Sequence, residues 1–252
     1  MVYNCALFGF LFFIFSYKHL EMHFLIDYNN KIIFGWSPKC GCSHVKVIFW
    51  YLLTNNVKPI IHTKNDFMIL PSDIENYTTI LFCRNPYKRI VSGFLDKYRI
   101  NGEFRYLWNR DIITFRDFVD ELLICRWRMI DRHHFEPQSH GVWNKNVKVL
   151  ASKIVKFYDI TNIDYTYIES LFDKKIPEEL ISAKHGHERC RGTLDFREYV
   201  YDLDMSVYYD CNVDIKYFYD EELVKKVYHF YKNDFVFFYE NGLEYTNPYT
   251  II

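Results

Sequence analysis

Two short segments carry residue types suited to holding anions. The first, Ser37-Pro38-Lys39-Cys40-Gly41-Cys42-Ser43, combines a cation, a glycine and a hydroxyl. Between a strand's carboxyl end and a helix's amino end, such a turn presents unpaired N–H groups and the positive end of the helix dipole, which favour a phosphate. Gly41 permits close backbone approach, Ser43 offers a hydroxyl at the helix start, and Lys39 supplies charge. The second segment runs Arg84-Asn85-Pro86-Tyr87-Lys88-Arg89-Ile90-Val91-Ser92. It places a guanidinium fork at a strand end and a hydroxyl on the following helix, a combination suited to a second phosphate. Plainer alternatives are a solvated lysine in a turn for Lys39, small loop residues or a metal pair for Cys40 and Cys42, and a solvated helix face for Lys88 and Lys97. Cys-x-Cys is tighter than the common zinc knuckle, so no metal is expected, and Arg89 is expected to be a structural partner rather than a ligand.

The order of residues separates two phosphate-binding designs. The nucleoside-triphosphatase loop puts its lysine late, directly before the hydroxyl residue. Here Lys39 comes first. Pro38-Lys39-Cys40-Gly41-Cys42-Ser43 resembles the 5'-phosphosulfate loop of sulfotransferases, in which Pro-Lys-x-Gly is followed by two hydroxyl residues; Cys42 departs from that pattern. Arg84 to Ser92 resembles the 3'-phosphate box of the same family at every fixed position. The resemblance is to the Golgi carbohydrate sulfotransferases of the chondroitin, dermatan and glucuronyl-glycan type and their bacterial and viral relatives, over roughly residues 30 to 240. It implies 3'-phosphoadenosine 5'-phosphosulfate (PAPS) as co-substrate, with Lys39, Cys40, Gly41, Cys42 and Ser43 at its 5' end and Arg84 and Ser92 at its 3'-phosphate. The implied acceptor is a glycan or another hydroxyl-bearing molecule.

Sulfuryl transfer, like phosphoryl transfer, needs cations on the leaving oxygens and a base for the attacking hydroxyl. Lys39 is the expected cation. His134-Phe135-Glu136-Pro137-Gln138 resembles the family's stretch of His, an aromatic residue, any residue, Pro and Gln, which implies His134 as the base. The acidic residue usual two positions earlier is replaced by Arg132, so a shifted role for Asp131, or a base at His133 or Glu136, stays open. Tyr228 to Phe235 resembles the family's closing pattern and implies a last helix packed under the donor site. Arg126, Arg128 and Arg132 around Trp127 suit either an acidic sugar or a plain amphipathic segment, and Lys184 to Thr193 is expected to be a solvated loop.

These residues need elements to position them. Lys31 to Trp36 and Thr78 to Cys83 are strand-like runs, each followed by a turn and a helix. Ser43 is expected to cap the first helix, and Asn85, with Pro86 behind it, the second, which should run to about Tyr98. Thr114 with Asp117 marks another helix start. Val147 to Leu150 and Ile154 to Tyr158 are expected strands; Ile163 to Phe172 and Glu221 to Tyr231 are expected helices. Alternating strands and helices predict an α/β fold, with a central, mainly parallel sheet flanked by helices in a P-loop-like arrangement.

The 252 residues are half apolar, enough for a sizeable core, and a single domain over 22–252 is expected. Lys+Arg at 31 against Asp+Glu at 32 leaves no global field to draw the chain to nucleic acid, so any anion site is local. The seven cysteines suit reduced thiols rather than a disulfide framework. Residues 1–21 hold an uncharged apolar run, Cys5 to Phe15, that suits a weak signal anchor or a buried segment equally. Membrane attachment through residues 5–17 would imply a Golgi-type lumenal location, and its lack a cytoplasmic one. A P-loop-type nucleotide kinase and a catalytically inert nucleotide- or glycan-binding protein of the same fold are the rival expectations.

Overall fold

Runs such as Ile32–Trp36 and Thr78–Cys83, apolar or β-branched throughout, suit strands covered on both faces. The computed structural model describes residues 22–56, 70–99, 102–108, 110–139, 147–182 and 195–248. The two runs are the central strands of a four-stranded sheet, ordered β1 (His23–Asp27), β2 (Ile32–Trp36), β3 (Thr78–Cys83) and β4 (Ile154–Asp159). β1 pairs antiparallel with β2, and the pairs β2/β3 and β3/β4 are parallel. Trp36, Phe82 and Tyr158 fall in one register row, so the three parallel strands end along one edge. In open α/β sheets, ligands bind at that carboxyl edge.

The helices are α1 (Cys42–Thr54), α2 (Pro86–Lys97), α3 (Phe115–Leu123), the single turn α4 (Arg132–Phe135), α5 (Tyr165–Phe172), α6 (Glu178–Ser182), α7 (Glu221–Phe230) and α8 (Lys232–Glu240). A two-residue pair, β5 (Asp195–Phe196) with β6 (Asn212–Val213), stands apart from the main sheet. Asn85 caps α2 by accepting from the Tyr87 N–H, and Thr114 caps α3 by accepting from the Asp117 N–H, as their positions predict.

Successive residues of a strand face opposite sides. On one side of the sheet Phe34, Trp36, Ile80 and Phe82 pack with Val45 and Phe49 of α1 and Ile168 of α5. On the other, Ile33, Leu81 and Cys83 meet Phe237 and Phe238 of α8. A third cluster is built mainly from helices: Ile90 and Phe94 of α2, Phe115 and Phe118 of α3, Phe135 of α4, and Leu223 and Val227 of α7. Burying each such side chain contributes about 1.5–3 kcal/mol, and this cluster fixes α2 and α4 against each other beside the sheet edge.

Two local expectations are corrected. Val147–Ala151 is a 3₁₀ helix, not a strand. β4 takes the place beside β3, and Val149 reaches the core from below the sheet. A run this short cannot be typed by periodicity alone. Ser43 does not cap α1: Gly41 is the N-cap, in the left-handed conformation and without a side-chain bond, and Ser43 lies inside the first turn. β1 was not anticipated. The apolar run 5–17, the segment 1–21, His140 and the loop 184–193 lie outside the described residues. No helix among the described residues is long and apolar enough to cross a membrane.

Candidate active site

The loop leaving β2 folds back sharply. Cys40 N–H bonds to the Ser37 carbonyl at 3.1 Å, and Lys39 and Gly41 both take left-handed backbone angles, φ 69° and 71°. A non-glycine residue there costs about 1 kcal/mol or more, so Lys39 is held by its surroundings. Gly41 has no alternative: a Cβ would lie 2.3 Å from Ile160 Cγ1, behind the end of β4.

Two arginines supply that hold. Arg89, 1% exposed on α2, donates through Nε to the Pro38 carbonyl at 2.9 Å and through Nη1 to the Glu136 carbonyl at 2.8 Å. Arg84, at the end of β3, donates through Nη1 to the Lys39 carbonyl at 3.2 Å. Arg89 is thus a structural partner, tying the loop to the segment after α4. Cys40 is fully buried and its thiol donates to Gln138 Oε1 at 2.9 Å; burial pushes that thiol up to about 12. Only the backbone of Cys40 is left for a ligand.

Gln138 is the hub that sequence alone did not assign. Its Oε1 also accepts from Arg84 N–H at 3.0 Å, and its Nε2 donates to the Arg84 carbonyl at 2.8 Å. Its own N–H and that of Ser139 donate to the fully buried carboxylate of Asp234 at 2.9 and 2.7 Å. Tyr231 OH donates to the Phe135 carbonyl at 2.7 Å. The closing segment therefore braces the loop after α4, which braces both anion boxes. On the β4 side, Asn85 N–H donates to Asp159 Oδ2 at 3.1 Å.

Lys39 Nζ lies 2.7 Å from Asp96 Oδ2 on α2. Arg89, Ser92 and Asp96 follow one another at three- and four-residue steps, so they share one helical face. Two of them touch the 37–41 loop, which places Ser92 on the face turned toward it. At the start of α1 no side chain caps the helix and no acidic residue stands in the first turn. The N–H groups at the start of α1, Lys39 and Arg84 gather at one sheet edge, where their charge and donor chemistry suit anionic groups.

Asp131, three residues before His134 rather than two, accepts from both the His134 N–H and the His134 Nδ1. Burial pushes His134 down against the pull of Asp131, and the charges of Lys97 and Lys39 push the same way. Burial alone would raise the Asp131 carboxyl, but the bonds from His134 and the charges of His134 and His133 together outweigh it and hold the carboxyl low. The result is a neutral imidazole with Nδ1–H on a carboxylate, leaving Nε2 as the acceptor nitrogen. His133 packs edge-on between His134 and His23, with ring centres 5.0 and 5.3 Å away. Glu136 is buried and paired with Arg132 at 2.8 Å, and Arg126 pairs with Glu121. Two of the three arginines near Trp127 are thereby engaged within the protein.

Among the described residues the cysteines at 40, 42, 83, 125 and 211 are free thiols, and no group of three or more His, Cys, Asp or Glu residues is placed to hold a metal ion. Of the sequence-derived site residues, Lys39 and Arg84 meet directly and Cys40 is joined to Arg84 through Gln138; Gly41, Cys42 and Ser43 form the loop end and first turn of α1; His134 sits close enough to feel the Lys39 charge. Asp96 was missed, although its four-residue step from Ser92 on a predicted helix was a signal for it.

A family model described as the sulfotransferase family matches residues 22–240. No curated protein and no solved structure matches the chain. With the match spanning the sheet, both anion loops and the closing helices, the chain belongs to the sulfotransferase family, whose members transfer a sulfuryl group from a sulfonate donor to an acceptor.

Proposed function

We propose that the chain transfers the sulfuryl group of PAPS to a hydroxyl of a carbohydrate acceptor. The observation that supports this is the Arg84–Lys39 contact at the ends of β3 and β2, which would let the loop read as the 5' site and the box read as the 3' site serve one donor. The N–H groups at the start of α1, with Ser43, hold the 5' end, Lys39 neutralises the transferring and leaving oxygens, and Arg84 and Ser92 hold the 3'-phosphate. His134 Nε2 takes the acceptor's hydroxyl proton while the oxygen attacks sulfur. The bond from sulfur to the bridging phosphate oxygen breaks, releasing adenosine 3',5'-bisphosphate and a sulfate ester. Asp131 keeps His134 in the tautomer this requires and stabilises the imidazolium that forms. Glu136, already paired with Arg132, is less suited to the base role.

A glycan acceptor is supported by the likeness of the two boxes and of His134 to Gln138 to carbohydrate sulfotransferases. Transfer of labelled sulfate from PAPS across a panel of glycans and small hydroxyl compounds tests the whole reading, with Lys39→Ala and His134→Ala as controls. Transfer to a glycan, lost in both variants, is the expected result. Full activity in Lys39→Ala, or transfer confined to non-sugar hydroxyls, would overturn the mechanism or the acceptor class respectively.

A further inference from the structure

The cation on which transfer depends is held by a carboxylate. Lys39 Nζ and Asp96 Oδ2 lie 2.7 Å apart with side chains only 11% and 8% exposed. A carboxylate beside a site for a multiply charged anion works against donor binding, both by repulsion and by competing for the same ammonium. It also answers a need of the donor-free state, because a largely buried ammonium without a counter-ion is costly.

A second lysine completes the arrangement. Lys97 Nζ stands 3.9 Å from the same Asp96 oxygen and also bonds to Glu103, with the ammonium over the Phe104 ring, 5.5 Å from its centre. Asp96 therefore has a replacement cation within reach when Lys39 turns to another anion. Phe104 in turn packs against His134 at 5.9 Å, so the exchange takes place beside the proposed base.

We propose that Asp96 is a positioning residue that holds Lys39 in the donor-free enzyme and surrenders it to the phosphosulfate, with Lys97 taking over as its counter-ion. Each turnover then includes a lysine exchange: Lys39 passes from Asp96 to the donor, and back to Asp96 as adenosine 3',5'-bisphosphate leaves. Asp96 weakens donor binding and thereby speeds product release. This rests on the PAPS reading given above.

The test is calorimetric titration of the full chain with adenosine 3',5'-bisphosphate. Asp96→Asn, which removes the competing charge, is expected to bind about three- to tenfold more tightly than the wild type. Lys39→Met is expected to bind more weakly, and adding Asp96→Asn to it is expected to restore nothing, because the gain acts through Lys39. A merely structural role for Asp96 predicts weaker binding, not tighter. Unchanged or weaker binding by folded Asp96→Asn, or a gain that persists without Lys39, would overturn the inference while leaving the donor reading intact. Absence of binding by the wild type would remove the donor reading and this inference with it. Should Asp96→Asn fail to fold, Asp96→Ser carries the same expectation.

Discussion

Arg84 reaches back 45 positions to donate to the Lys39 carbonyl at 3.2 Å, while its own backbone N–H and carbonyl are both taken by the Gln138 amide. The side chain assigned to the 3'-phosphate is thus also part of the scaffold of the 5' loop. The two anion boxes form one mechanical unit, with Gln138 as the clamp and Asp234 as its anchor.

Arg84→Lys keeps a charge but loses the planar fork that serves the Lys39 carbonyl and a phosphate together. Affinity for adenosine 3',5'-bisphosphate is expected to fall by about tenfold or more, with little change in melting temperature. Equal affinity by calorimetry would show that Arg84 is scaffold only.

Gly41→Ala meets two obstacles: a left-handed backbone angle and Ile160 Cγ1 at 2.3 Å from the new Cβ. The variant is expected to lose about 1–3 kcal/mol in denaturant unfolding. Adding Ile160→Ala should recover the steric part and leave the backbone part, so complete rescue or none would contradict this assignment.

Asp234→Ala removes the acceptor of two buried N–H groups, those of Gln138 and Ser139. An expected loss of about 2–5 kcal/mol, measured by denaturant unfolding, follows from leaving both unpaired. Donor binding should weaken as well, because Gln138 holds Arg84 and Cys40; a destabilised variant with unaltered donor affinity would separate the brace from the site.

His134 is pushed below its ordinary value by burial, so it is neutral near pH 7 and able to accept a proton. The acid limb of the kcat/KM profile is therefore expected below pH 6.5, with activity lost as pH falls through it. Asp131 raises His134, so Asp131→Asn should move that limb to still lower pH while lowering the plateau through loss of the tautomer. The same shift makes stability fall below pH 6.5, since the unfolded chain binds a proton that buried His134 resists. A limb above pH 7 would indicate a different base.

Much of the candidate site was legible because its signals are local. The caps at Asn85 and Thr114, the strand runs before each box, and the spacing of Arg84, Ser92 and the early Lys39 each lie within a single strand, turn or helix. Periodicity and capping chemistry act over that range. Where the signal was short, it misled: the apolar residues at 147–150 read as a strand but form a 3₁₀ helix, and Ser43 gave way to Gly41 as the start of α1.

By itself, then, the sequence determined the α/β alternation and the two strand-to-helix turns proposed to hold anions, each written in neighbouring residues. Only the tertiary structure decided which groups meet there: Asp96 on Lys39 across 57 positions, Gln138 on Cys40 across 98, and Asp234 on Gln138 across 96. No local propensity encodes such pairings. They follow from three parallel strands ending at one edge and a helical core that presses α2 and α4 against it, so polar groups buried together must satisfy one another.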